Sequence, residues 1–358
     1  LLRCYLFSGF PWAILSYGWL DTPLSIFVTW FGPYIFNSLI IIVGFNLLYS
    51  SIINNFFKII FFFTILFGVQ NYYSEKGIDE SIESLTVRLV QPNIKQKDKW
   101  KKENELQHLE ILIDLSNKSP KPDLVVWPET AVYWLPEENP EKLQTIAEQV
   151  RSPLLFGALR FNRDTKKLFN TVFLIDSKGE IQSIYDKTFL VPFGEYLPLG
   201  GLIRYFNIFG NSYRLIDGFT SGNGLRLVKN SGFPTFLPLI CYEALFSNEI
   251  LGKVKEARWI LNITNDAWFG NGGGPKQHLK IARMRALENN IPLIRVSNNG
   301  ISAKISKNGK IEKHIALNQR EFLDVELGLN IERQSTFYAT IGKNVSSYFH
   351  LVLLLLPI

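Results

Sequence analysis

Apolar and polar positions divide the chain into three stretches of different character. Residues 1–70 are apolar almost throughout, with Arg3, Asp21 and Lys58 as their only charged side chains. From Ser74 the pattern becomes that of a soluble α/β protein, and "YFHLVLLLLPI" at 348–358 turns apolar again. The stretch 24–48 runs 25 residues without a charge, against the roughly 20 needed to cross a bilayer as a helix. It is predicted to span. A second span is predicted at 52–70, where Lys58 near its start can snorkel to the interface. Ahead of both, "GFPW" at 9–12 breaks the apolar run with a glycine and a proline, which predicts an irregular aromatic loop at the interface.

Between the apolar ends the periods alternate. "LTVRLVQPN" (85–93), "PDLVVWPET" (122–130), "PLLFGALR" (153–160), "NTVFLID" (170–176), "EIQSIYDK" (180–187), "PTFLPLI" (234–240) and "RWILNITND" (258–266) read as strands. Helical periods occur at 101–118, about 140–151, and "PKQHLKIARMRALENN" (275–290), which opens on a proline suited to the first turn. "SAKISKNGKIEKHI" (302–315) predicts a hairpin around Asn308-Gly309. Strands alternating with helices and closed by a hairpin indicate an α/β or α+β layered sandwich.

Length and charge refine this organisation. The 358 residues divide into a membrane region at 1–72, a catalytic body at 74–342 and the start of a C-terminal transmembrane helix at 344–358. The chain opens on Leu1 and stops within an apolar run, so it reads as a fragment of a longer protein with its N-terminal part missing. Lys58 weakly places the loop between the two spans in the cytoplasm, which puts the body on the opposite side. The net charge of +6 owes much to "KQKDKWKKENE" at 95–105, which reads as a solvated helix start rather than a lipid contact. Its lysines alternate with acids and no basic stripe with stacking aromatics follows, which argues against nucleic acid.

Several chemistries are excluded. The four histidines, His108, His278, His314 and His350, are far apart in sequence, so no metal is expected, and the dinucleotide and phosphate-loop motifs that would bring a cofactor are missing. The glycine-rich "FGNGGGP" (269–275) lacks the lysine of a phosphate cradle and reads as a loop. What remains is Cys241, in "LPLICYEALF", at the end of an apolar strand where a turn into a helix favours a thiolate. A thiol there still needs a base. His278 lies within a helical repeat, whereas Glu129 and Lys187 each end a strand, so a Glu-Lys-Cys site on one rim is the candidate.

"VVWPETA", "YDKTFLVPFGEYLP" and "LICYEALF", in this order, resemble the Glu, Lys and Cys motifs of the nitrilase (carbon–nitrogen hydrolase) superfamily. Within it the chain is most similar to the apolipoprotein N-acyltransferases, through "SGFPW" with Tyr17, "LVQPNI", "NITNDAWFG", "GPKQHLKIARMRALE" and "RVSNNGISA". The resemblance implies an α+β fold, a nitrilase-like α-β-β-α four-layer sandwich flanked by transmembrane helices. It also implies a monomeric, multi-pass enzyme of the bacterial inner membrane with its catalytic domain on the periplasmic side. Cys241 would take an acyl chain from a phospholipid as a thioester, with Glu129 as general base and Lys187 on the oxyanion beside the backbone N–H after the cysteine. The acceptor would be the α-amine of a diacylglyceryl-cysteine on an apolipoprotein. Glu195 matches the second glutamate of the superfamily, and Asn170, Tyr242 and Glu243 match supporting positions. Gly9 and Trp12 fall in the loop near the substrate entrance, and Trp268-Phe269 with "YFNIFG" (205–210) are candidates for an acyl path.

Two other readings fit the same residues. One is a membrane-anchored amidase or nitrilase in which water replaces the lipoprotein amine. The other is a non-catalytic scaffold, whose mark would be a lost nucleophile or lysine, and both are present.

Overall fold

The computed structural model describes residues 10–49, 83–198, 218–230, 232–329 and 334–342. Gly9, Cys4, the expected span at 52–70, the "YFNIFG" segment and the expected C-terminal helix at 344–358 lie outside these residues.

Among the described residues the body is built on two six-stranded sheets. The first contains β1 (Ser84–Gln91), β2 (Leu124–Val126), β3 (Leu154–Asn162), β4 (Lys167–Ile175), β5 (Ile181–Asp186) and β12 (Glu321–Gly328) in the order β12-β1-β2-β3-β4-β5. The second contains β6 (Val228–Asn230), β7 (Phe233–Ile240), β8 (Trp259–Thr264), β9 (Leu293–Ser297), β10 (Ser302–Ile305) and β11 (Ile311–Ile315) in the order β11-β10-β9-β8-β7-β6. Both sheets are mixed in the same way. β1-β2-β3 and β7-β8-β9 run parallel in the middle, and antiparallel strands complete both edges. The expected hairpin forms between β10 and β11, with Gly309 at φ 72.

Side-chain alternation assembles the layers. Val87 and Leu89 of β1 and Leu124 and Val126 of β2 face the second sheet in one large core, while Val90, Val125 and Trp127 face the other way. That outer face is covered by α2 (Glu105–Ser116), through Leu112 and Leu115, and by α3 (Pro140–Val150), through Leu143, Ile146 and Val150. Trp127 fixes α2 by donating its indole N–H to Ser116 Oγ at 2.9 Å. After the short α4 (Ser247–Leu251), the second sheet is covered by α5 (Gly274–Asn289), which starts with Pro275 in its first turn and stops at Asn290 in the left-handed conformation. The four-layer α-β-β-α order expected from the sequence is therefore present.

The N-terminal region packs onto α5. Ile14, Tyr17, Leu20, Leu24 and Val28 enter the large core beside Leu279, Ala282 and Ala286. The helix α1 (Ile26–Tyr49) is interrupted at Gly32 (φ 76, ψ 170), ahead of Pro33, and the ring of Tyr338 occupies the space a side chain at Gly32 would need. Pro23–Asn46 is the one helix among the described residues long and apolar enough to cross a membrane. Beyond the kink it leaves Ile41, Val43, Phe45 and Leu48 exposed, Leu48 by 82%.

Candidate active site

The strand β7 is buried over its last five residues and delivers Cys241 at its carboxyl end. A tight 3₁₀ turn, Cys241–Leu245, follows at once, and Cys241 itself has φ 48. A left-handed backbone at a non-glycine residue costs on the order of 1–2 kcal/mol. Glu243 holds the turn in place. Its Oε2 accepts from Ile240 N at 2.7 Å, and its Oε1 accepts from Tyr185 OH at 2.8 Å, Thr188 N at 2.6 Å and Phe189 N at 3.3 Å. Burial pushes this carboxyl up to about 7, against the pull of the Ile240 and Thr188 N–H groups. Glu243 thus ties the Cys241 turn to the segment that carries Lys187.

The other sheet supplies the remaining groups from the ends of β2 and β5 and from within β4. Glu129 Oε1 accepts from Asn170 Nδ2 at 2.7 Å and from Lys187 Nζ at 3.3 Å. Lys187 Nζ also donates to Glu195 Oε1 at 2.8 Å, and Asn170 Nδ2 reaches the same oxygen at 3.1 Å. Glu195 is fixed in turn by the Val191 N–H at 2.9 Å. One lysine and one amide therefore bridge two carboxylates, and Lys187, Glu129 and Asn170 are all buried. Asn265 N, at the end of β8, donates to Glu129 Oε2 at 2.8 Å and joins the two sheets at this point.

The charges fit a resting thiol with a base nearby. Burial raises the Cys241 thiol well above its ordinary range, the Glu129 carboxylate raises it further, and Lys187 pulls it back. Only 6% of Cys241 is exposed, and its thiol is free. For Lys187 burial alone would favour the neutral amine, but Glu129 and Glu195 more than offset it and keep the ammonium protonated. A neutral thiol, an anchored carboxylate and a fixed cation around one point can accept a proton and stabilise an oxyanion.

The aromatic loop covers this turn. Trp12 packs 4.9 Å from Phe269 and 5.5 Å from His278, and donates its indole N–H to Gln277 Oε1 at 2.6 Å. Phe10 stacks on Tyr242 at 6.2 Å, and Tyr242 packs edge-on to Phe246 at 5.2 Å. Trp268 is 69% exposed, so its neighbour Phe269 makes the contacts at the rim.

Residues 86–333 match the carbon–nitrogen hydrolase family. The chain is 33% identical to an apolipoprotein N-acyltransferase from Rhizobium leguminosarum bv. trifolii, over 95% of this chain and 68% of that protein. The chain belongs to the carbon–nitrogen hydrolase family, in its apolipoprotein N-acyltransferase branch. It is also 33% identical to the apolipoprotein N-acyltransferase of Brucella suis, over 88% of this chain. It spans 63% of the length of that relative. The fold is shared with a carbon–nitrogen hydrolase from Helicobacter pylori at TM-score 0.52 and 15% identity, over 75% of this chain and 94% of that one.

Sequence reasoning missed part of the site that this family member builds. Lys99, expected in a solvated helix start, is 2% exposed and donates to the Glu129 carbonyl oxygen at 3.0 Å. Burial lowers it to about 8, against the pull of Glu129 and Cys241. No local signal marks it, because Lys99 stands in a run of charges and its neighbour Trp100 is itself half exposed. His278, set aside as a helical residue, is fully buried, with Nε2 at 3.1 Å from the Cys241 carbonyl oxygen and Nδ1 at 2.9 Å from Asp266 Oδ1. Arg295 pairs with Asp266 at 2.7 Å, and Arg295 with His278 holds that carboxyl far below its usual range despite burial. The remaining family words join beneath the site. Asn298 Nδ2 donates to Ile94 O at 2.8 Å and to Asn265 Oδ1 at 2.9 Å, and Asn265 Nδ2 donates to Gln96 Oε1 at 2.9 Å.

Proposed function

We propose that the protein is an N-acyltransferase that moves an acyl chain from a phospholipid, through a thioester on Cys241, to the N-terminal amine of a diacylglyceryl-cysteine on an apolipoprotein. The observation that carries this reading is the placement of Phe10 and Trp12, on the segment leading into the apolar helix α1, directly over the Cys241 turn. A site for two lipid substrates needs such a join between a membrane segment and a nucleophile. An amidase for small soluble amides has no use for it.

In the first half-reaction Glu129 takes the thiol proton as Cys241 Sγ attacks the acyl carbonyl carbon. The oxyanion forms beside Lys187 and the N–H that follows the cysteine. On collapse the bond to the glycerol oxygen breaks and Glu129 returns the proton to it, leaving a lysophospholipid and an acyl-Cys241. In the second half the lipoprotein amine attacks the thioester and gives its proton to Glu129. The C–S bond breaks, an amide remains, and the thiol is restored. Glu195 and Asn170 orient Lys187 and Glu129, and Glu243 holds the nucleophile turn. Tyr242 supports the turn, and Trp12, Gly9 and Trp268 belong to the substrate entrance. The enzyme would act as a monomer in the bacterial inner membrane. Its catalytic domain at 74–342 would face the periplasm, between a membrane region at 1–72 and a helix that begins at 344–358.

The test is to incubate the detergent-solubilised protein with a phospholipid carrying a labelled acyl chain and a diacylglyceryl-cysteine peptide. The expected result is an amide-linked label on the peptide that Cys241→Ser abolishes. Release of labelled fatty acid with no peptide product, or turnover of small amides without lipid, would instead favour the hydrolase. Intact lipid and peptide with folded protein would leave the scaffold.

A further inference from the structure

We propose that His278 is a positioning residue for acyl transfer, holding the Cys241 carbonyl so that the N–H of Tyr242, on the far edge of the same peptide, is aimed at the acyl oxyanion. This rests on the acyl-transfer reading above and adds a residue to it.

The contact is polar, buried and one-directional. A carbonyl oxygen only accepts, so at 3.1 Å the His278 Nε2 must carry the hydrogen. With Nε2 protonated the other ring nitrogen accepts from Arg295 Nη2 at 3.1 Å, and that guanidinium is held in turn by Asp266 Oδ2 at 2.7 Å. His278, Asp266 and Arg295 are all fully buried, so no water competes for these groups. Asp266 is held further by Thr264 Oγ1 at 3.1 Å and Ser297 Oγ at 3.3 Å, which fixes the support on β8 and β9.

The held group matters because of where it lies. In a planar trans peptide the C=O and the next N–H point in opposite directions. A hydrogen bond that draws the Cys241 carbonyl toward α5 therefore turns the Tyr242 N–H away from α5. The orientation of this peptide is set by ψ of Cys241 and φ of Tyr242, two soft torsions next to a backbone already strained at φ 48, so a hydrogen bond to the carbonyl is what fixes it. Glu243 restrains the flanking Ile240 N–H, and His278 restrains the carbonyl.

His278 also meets the aromatic loop. Trp12 lies 5.5 Å from its ring, Phe269 packs edge-on at 5.5 Å, and Gln277, the residue before it on α5, accepts the Trp12 indole N–H. The loop leading to the membrane helix, α5 and the nucleophile turn thus meet at one imidazole.

The experiment compares two reactions of Cys241 in the solubilised protein. Acylation by a p-nitrophenyl ester passes through an oxyanion, whereas alkylation by iodoacetamide does not. His278→Leu is expected to slow single-turnover acylation by about 30- to 100-fold, less than the roughly 10²- to 10³-fold for outright loss of an oxyanion donor because the N–H is misaimed and not removed, and to leave alkylation within about threefold. His278→Gln, whose amide can donate toward the same carbonyl, is expected to recover most of the acylation rate. If His278→Leu does not fold, His278→Asn, whose shorter amide stops short of the carbonyl, takes its place with the same expectation. Equal losses in both reactions, unchanged acylation, or a Gln variant no better than Leu would overturn the proposal. The activated ester needs neither phospholipid nor lipoprotein. Failure of the lipid reading would instead appear as an unsubstituted protein acylated by the ester but not by phospholipid.

Discussion

The backbone N–H of Asn265, at the end of β8, donates to Glu129 Oε2 across 2.8 Å, so a strand of the second sheet holds the carboxylate delivered by the first. With Asn170 and Lys187 on Oε1, Glu129 is anchored through both oxygens before any substrate arrives. Glu129→Gln keeps the size of the group and removes the carboxylate to which the proposed reaction assigns the proton transfer. Thioester formation is expected to fall by about 10²- to 10⁴-fold, the range for loss of general-base catalysis. Single-turnover mass spectrometry of Cys241 checks this, with a thermal melt to confirm folding.

Lys99 gives the site a pH dependence. Its ammonium stands beside Glu129 and Cys241, and burial lowers it to about 8. Below that value the cation favours the negative charge that develops on sulfur and oxygen. Above it the lysine is neutral and this support is gone, so the acylation rate should fall as pH rises through about 8. Lys99→Arg, which stays charged, should lose that fall, and Lys99→Met should be slow and flat across it. Rates of acyl-Cys241 formation between pH 6 and 9.5 read all three, at about the pH values that bracket the transition.

Gly157 marks a close approach that only glycine permits. A Cβ there would lie 2.6 Å from both Glu129 Cα and Thr130 N, and both are backbone atoms that cannot swing aside. Gly157→Ala should displace Glu129, destabilise the protein by about 1–3 kcal/mol and lower the acylation rate at least about tenfold, since catalytic groups tolerate little misplacement. Urea unfolding and single-turnover acylation measure the two effects.

Two ionic contacts of α5, one to Asp21 of the N-terminal region and one within the helix, should differ sharply in their effects. Asp21 pairs with Arg283 at 2.6 Å and Lys280 at 3.1 Å, but its side chain is half exposed. Asp21→Asn should cost less than about 1 kcal/mol. Arg285, by contrast, is fully buried against Glu288 at 3.2 Å and reaches Tyr17 OH at 3.3 Å. Arg285→Met leaves Glu288 without its cation and should cost about 3–5 kcal/mol. Thermal melts of the two variants in one detergent give the comparison.

The parts of this architecture that were legible in the sequence are those written as local periodicity. The strands ending at Glu129, Lys187 and Cys241, the α5 helix opening on Pro275 and the Asn308-Gly309 hairpin all follow from spacing and turn chemistry. The family words also singled out Asn170, Glu195 and Glu243, which the structure hydrogen-bonds to Glu129, Lys187 and the Thr188 N–H. What stayed hidden depends on tertiary packing. Lys99 sits in a run of charges, and nothing local distinguishes the one lysine that folds inward from those that stay in water. His278 has the spacing of a core helix position, and its role appears only when α5 is laid behind the Cys241 turn. Gly157 reads as an ordinary strand glycine until β3 is placed beside the Glu129 turn.

The most direct test of the central claim is to expose the protein to a phospholipid with a labelled acyl chain, omit any acceptor, and map the label by mass spectrometry. The account predicts one hydroxylamine-sensitive acyl group on Cys241, absent from Cys241→Ser and discharged when a diacylglyceryl-cysteine peptide is added. Folded protein that carries no acyl group on Cys241, or that carries one which the peptide cannot remove, would contradict it.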